Sequence, residues 1–143
     1  MVNINDIGEH DCPDEATEGD RLEQIFAKQR ELMHKYHQIG LDNGTLLDPN
    51  VPVDINSHKG QAQLKAMNSY CVEELFEAMN CLKNKAWKQS MMETDIDHYQ
   101  EELADAFHFF IELLILSGIY ADDIFSLYFK KAAVNKFRQR SNY

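Results

Sequence analysis

With 143 residues, a hydrophobic fraction of 44% and a formal net charge of −10, the chain is long enough for one domain with a real core and too apolar for a disordered polymer. The acidic balance excludes a broad nucleic-acid-binding surface, where clustered lysine and arginine supply most of the affinity. No apolar run reaches the roughly eighteen residues of a membrane span, and Met1 to Asp20 lacks the apolar segment of a signal peptide. The expectation is a soluble, cytoplasmic protein, with no membrane partner and no direct nucleic-acid partner.

Residues 1–19 are polar, acidic and aperiodic, which predicts a flexible arm. Asp20 followed by Glu23 has the form of a capping box, and Leu22, Ile25, Phe26, Leu32 and Tyr36 mark a first helix to about Ile39, with Gly40 as its stop. Leu41 to His58 contains Asn43-Gly44, Pro49 and Pro52 and predicts a long connection of the kind that often carries function. A second helix follows from about Gln61 to Asn84, with Leu64, Met67, Cys71, Leu75, Ala78 and Leu82 on one face.

Thr94 or Asp95 can cap the third helix, Asp97 to Ser117, which is apolar on nearly every side from Leu103 onward. The fourth begins near Ala121, with Asp122 and Asp123 in its first turn as the helix dipole prefers, and runs to about Arg138. There is no period-two strand and no internal repeat. The expected architecture is all-α, a single four-helix domain over residues 20–143. Cys12, Cys71 and Cys81 have neither metal-ligand spacing nor an even number, so they read as buried or idle thiols.

The third helix keeps one polar line. At about 100° per residue, His98, Glu101, Glu102, Asp105, His108 and Glu112 fall within roughly 60° of one line along the helix. Carboxylates against a core cost several kcal/mol each unless compensated by lysines, arginines or cations, the alternative being a solvated helix face. The second helix supplies Glu74 and Glu77 one turn apart, and the third supplies Glu102 and Asp105 at the same spacing. Packed antiparallel, the two pairs would make a pocket of four carboxylates, suited to Mg²⁺ with water and substrate phosphates. Glu73 and Glu101 stand beside the pattern as alternative ligands.

On the fourth helix Lys131, Asn135 and Arg138 share a face. That row suits phosphate oxygens, or else it complements the helix dipole. Trp87, beside Lys88, is the only tryptophan; it is either a core plug or a ring that stacks on a base.

The combination resembles the all-α NTP pyrophosphatases: dimeric dUTPases, phage enzymes hydrolysing dUTP and dCTP, and more distantly the MazG-like enzymes. The matching pieces are Gln29-Arg30-Glu31-Leu32, Glu73-Glu74-Leu75-Phe76-Glu77, Trp87-Lys88, the run Glu102 to Phe110, and Lys131, Asn135, Arg138 and Gln139 before the terminal Tyr143. The resemblance implies that Glu74, Glu77, Glu102 and Asp105 hold Mg²⁺ on a triphosphate. It also implies that water attacks the α-phosphorus, and that Lys131, Asn135 and Arg138 grip phosphate oxygens. It places Gln29, Trp87, His108 and Phe109 at the base and deoxyribose, His108 being alternatively a satisfied core histidine.

A homodimer acting on a pyrimidine deoxynucleoside triphosphate is the resulting expectation, dUTP first and dCTP or a broader set second. Leu32, where dimeric dUTPases can carry an asparagine, loosens uracil specificity, and Asn142-Tyr143 replaces a frequent Gly-Tyr. The rival of another class is a non-catalytic acidic helical protein that binds a regulator. A di-iron bundle would need glutamate-xx-histidine ligands on paired helices. Only Asp105-xx-His108 approximates that pattern.

Overall fold

The computed structural model describes residues 19–141. The expected N-terminal arm, apart from Gly19, lies outside these residues, as do Cys12 and the terminal Asn142-Tyr143. The chain is all-helical, with no strand among the described residues: α1 Arg21–Asn43, α2 His58–Cys81, α3 Ile96–Leu116 and α4 Ala121–Arg140.

Helix starts follow the side chains that satisfy their orphan N–H groups. Asp20 Oδ1 accepts from the Glu23 amide at 3.1 Å, Ser57 Oγ from Gly60 at 2.8 Å, and Asp95 Oδ1 from His98 at 3.1 Å. At α4 the Asp123 carboxylate accepts from the Tyr120 amide at 2.9 Å.

The end of α1 differs from expectation. Gly40 is helical, and the helix runs on to Gly44, whose φ of 66° is the left-handed cap. Gly40 serves packing instead, because a Cβ there would come within 3.4 Å of Leu46, whose own amide bonds to the Gly40 carbonyl. The connection is therefore residues 44–57. It is pinned by His37 Nε2 against the Pro49 carbonyl at 2.7 Å, by the Val53 amide donating to Leu116 at 2.9 Å, and by buried Asp48 accepting from Asn50.

The core gathers on the C-terminal half of α3: Ile111, Leu114, Ile115 and Leu116 pack with Phe26 and Met33 of α1, Met67 of α2, Val53 and Ala121. Phe26 is wholly buried, worth about 1.5–3 kcal/mol of transfer free energy. The buried face of α1 is Phe26-Gln29-Met33; Ile25 and Tyr36, expected inside, are exposed.

Two further expectations are corrected. On α2, Met67 and Ala78 are buried but Leu75 and Leu82 are about half exposed. On α3, Leu103, Phe107 and Phe110 stand at the surface. The reason is topological: α1 packs on α3 and α4, so one side of the α2–α3 hairpin lacks a cover within the described chain. No single helix among the described residues is long and apolar enough to cross a membrane.

Candidate active site

Three carboxylates converge between α2 and α3. Glu74 comes from one helix, Glu102 and Asp105 from the other, one turn apart and so on one face. The two helices pack more extensively on each other than any other pair. One oxygen from each acid lies within 4.8 Å of the others. Glu102 is buried, and His98 Nδ1 stands 3.3 Å from its Oε1.

Crowded anions away from water favour their neutral forms. Burial pushes the Glu74 carboxyl up to about 7, helped by a hydrogen bond with Glu102 and by repulsion from Glu77, Asp105 and Glu102. Burial and the Glu102 charge also raise Asp105, while His108 opposes the rise. An all-oxygen donor set with surplus negative charge is what a hard divalent cation takes, and a cation removes the repulsion. The residues present therefore fit Mg²⁺. Glu77, the fourth acid of the expected set, is exposed and stands outside the three-residue cluster.

Asp105 also lines a cleft of about 470 Å³. Gln29, Leu32 and Tyr36 form its α1 wall, Met67 and Tyr70 its α2 wall, and His108, Phe109 and Glu112 continue α3. The Tyr70 and Phe109 rings meet at 5.6 Å between centroids. This is a mostly apolar slot with a few polar groups, the usual composition of a small-molecule site.

Those polar groups hold one another. Gln29, buried, places its Nε2 3.4 Å from Glu112 Oε2 and its Oε1 2.9 Å from His108 Nδ1. With the amide nitrogen directed at Glu112, Oε1 accepts from the Nδ1–H of His108. Burial raises the Glu112 carboxyl to about 7.

Of the residues the sequence singled out, Gln29, His108 and Phe109 thus share one cleft with Asp105, and Glu74, Glu102 and Asp105 share one cluster. Trp87 is neither plug nor cleft wall: it is 79% exposed in the turn after α2, with Lys85 Nζ 5.9 Å from its ring centroid. Lys131, Asn135 and Arg138 are exposed on α4, whose axis leaves α3 at 103°. At 1.5 Å rise per residue, Asp105 sits roughly 16 Å before the end of α3 and Lys131 roughly 15 Å beyond the start of α4, which puts them roughly 20 Å apart. α4 packs chiefly on α1 and not on the α2–α3 pair that carries the acids.

Glu112, Tyr36 and Tyr70 are cleft residues that sequence reasoning left unassigned. A signal existed for two of them: Glu112 continues the acidic line of α3, and Tyr70 lies one turn before Glu74. Comparison of the chain with family models, with curated proteins and with solved structures gave no match.

Proposed function

We propose that this protein is a Mg²⁺-dependent deoxynucleoside triphosphate pyrophosphatase, hydrolysing dUTP to dUMP and pyrophosphate, with dCTP or a broader set of deoxynucleotides as the alternative substrate. The observation that carries the reading is that Asp105 belongs both to the three-carboxylate cluster and to the aromatic cleft. A cation site for phosphates thereby adjoins a slot of nucleoside dimensions. The motif resemblance supplies the reaction class and the order of parts.

Glu74, Glu102 and Asp105 would hold the cation, which when bound neutralises phosphate oxygens and eases deprotonation of water. The remaining work belongs to the protein. The cleft holds base and deoxyribose between Tyr70, Phe109 and Leu32, with the His108 Nε2 and the Glu112 carboxyl as polar contacts. Water attacks the α-phosphorus; as the new P–O bond forms, the bond to the bridging oxygen breaks and pyrophosphate departs. The water proton passes to a carboxylate, for which Glu77, exposed one turn from Glu74, is the accessible choice.

The test is pyrophosphate and monophosphate release from each dNTP and UTP, with and without Mg²⁺. Turnover of a pyrimidine deoxynucleotide that needs the metal and is lost in Asp105→Asn is expected. If no nucleotide is turned over while the fold is intact, the acidic binding-protein reading replaces this one.

A further inference from the structure

Helix α1 has a cavity on each of two sides. Gln29, Leu32 and Tyr36 line the cleft that also holds Asp105. Arg30, His34, His37 and Leu41, spaced i, i+4, i+7 and i+11, form a row roughly 140° further round the helix. That row faces a second cavity of about 410 Å³, with Pro49 and Val51 of the connection opposite and Met33 and Ile115 as its floor. Its volume lies within the usual range of small-molecule sites.

The far wall is held off α1 by hydrogen bonds along its length. The Thr45 amide donates to the Gly40 carbonyl at 2.9 Å, His37 Nε2 to the Pro49 carbonyl at 2.7 Å, and the Val53 amide to the Leu116 carbonyl at 2.9 Å. Leu41 and Val51 are thereby left about half exposed on facing walls, apolar surface that a ligand between them would remove from water.

The polar lining selects the class of ligand. In a chain with 24 acids, none of the residues around this cavity is acidic, so nothing there holds a metal ion or an amine. The carboxylates that touch the lining are engaged at its edge: Glu23 accepts one bond from Arg30 Nη2 at 3.0 Å, and Asp42 accepts from the Gln38 amide at 2.9 Å. A guanidinium carries five N–H groups, so Arg30 has donors beyond that bond, and His34 adds an imidazole N–H. One guanidinium already shared with Glu23 is poor compensation for a phosphate dianion, whereas a carboxylate brings a single charge and matches the arginine fork. The aliphatic walls ask for an apolar body behind that head group.

We propose that this cavity binds a small organic carboxylate, its head group on Arg30 and His34 and its apolar body against Met33, Leu41, Val51 and Ile115, and that its occupancy is transmitted to the cleft across α1. The route is short. Met33 follows Gln29 by one turn of α1, Ile115 follows Glu112 by one turn of α3, and Gln29 Nε2 stands 3.4 Å from Glu112 Oε2. The floor of one cavity and the polar end of the other are successive layers of the same α1–α3 contact. The effect on nucleotide binding rests on the proposed function; the carboxylate site itself does not.

The test is methyl-¹³C methionine NMR of the full chain titrated with 4-phenylbutyrate, and with 4-phenylbutanol as its uncharged twin. The Met33 methyl, identified by its loss in Met33→Leu, should shift saturably with the acid and bind the alcohol at least about tenfold more weakly. Arg30→Gln/His34→Gln, both at exposed positions, should weaken the acid about tenfold, and Leu41→Trp, which fills the mouth, should abolish its binding. The Gln29 side-chain amide should move in the ¹⁵N spectrum with the same midpoint as the Met33 methyl. Equal binding of acid and alcohol, or a Met33 shift that survives Leu41→Trp, overturns the carboxylate site; a Gln29 amide that stays in place overturns the coupling. None of these readouts needs turnover, so a protein without pyrophosphatase activity discards the nucleotide reading and leaves the site to stand on its own result.

Discussion

Glu112 is the carboxyl whose energetics can be read most directly, since burial alone lifts it from 4.5 to about 7. A raised folded-state value means that the folded protein binds this proton more tightly than the unfolded chain does. The associated stability is complete below the unfolded value, near pH 4.5, and is lost as pH rises through about 7. Glu112→Gln keeps the shape and a polar partner for Gln29 while removing the titration. Unfolding in urea across pH 5 to 8 should show the variant more stable at pH 8 by about 2 kcal/mol, after allowance for partial exposure, with little difference at pH 5. The three clustered acids predict a different signature. Each of Glu74→Gln, Glu102→Gln and Asp105→Asn removes one of the mutually repelling charges, so each should stabilise the metal-free protein, by about 1 kcal/mol in EDTA. On the proposed function Mg²⁺ should raise the parent's melting temperature, and each variant should abolish that rise and lower turnover about a hundredfold or more. A variant that keeps its response to Mg²⁺ removes that acid from the ligand set.

Among the elements, the two glycines of α1 separate a packing role from a conformational one. Gly44 has a left-handed backbone with nothing near a would-be Cβ, so Gly44→Ala should cost about 1 kcal/mol through backbone strain alone. Gly40 is helical, and Gly40→Ala gains up to about 1 kcal/mol of propensity against a 3.4 Å approach to Leu46, for a net change near zero. Thermal unfolding of the two variants side by side checks the assignment; equal losses would mean that the helix ends at Gly40 after all. The sequence pointed to the wrong one of the two because either glycine can end a helix, and the packing contact of Gly40 with Leu46, six positions on, is not visible in it. Most of the element order was legible for a simple reason: the caps Asp20 and Asp95 and the turn glycines act locally. What escaped were relations between elements. Leu75 and Leu82 fit the apolar period of α2 as well as Met67 and Ala78 do, but periodicity does not say which stripe meets α3. Likewise Glu77 pairs with Glu74 by spacing, and only the rotation of α2 against α3 leaves it outside the cluster while Glu74, Glu102 and Asp105 meet. Gln29 looked free to read a base; its engagement by His108 and Glu112 depends on contacts from 79 and 83 positions away.

On the scale of the whole molecule, the fully buried core is small and the exposed apolar surface large. Phe26, Ile111, Ile115 and Leu116 are the largest side chains removed entirely from water, whereas Phe76, Phe107, Phe110, Phe125, Phe129 and Phe137 all remain at least two-fifths exposed. A chain of this length depends on burying most of its apolar side chains to offset conformational entropy, and the surface left over is worth about 25 cal/mol per Å² once covered. Folding and association should therefore be linked, with stability set partly by protein concentration. For two-state unfolding of a dimer, a tenfold increase in concentration adds about 1.4 kcal/mol, which at the usual unfolding entropy raises the melting temperature by roughly 2–3 °C. Replacing Phe125 and Phe129, whose rings lie 4.7 Å apart on the outer surface of α4, with serine removes apolar contact area without opening a cavity in the core. The parent should melt higher at 100 μM than at 10 μM, and the double variant should melt at one temperature at both. If the parent melts independently of concentration over that range, its folding is not coupled to assembly, and the exposed aromatic surface of α4 must be explained in another way.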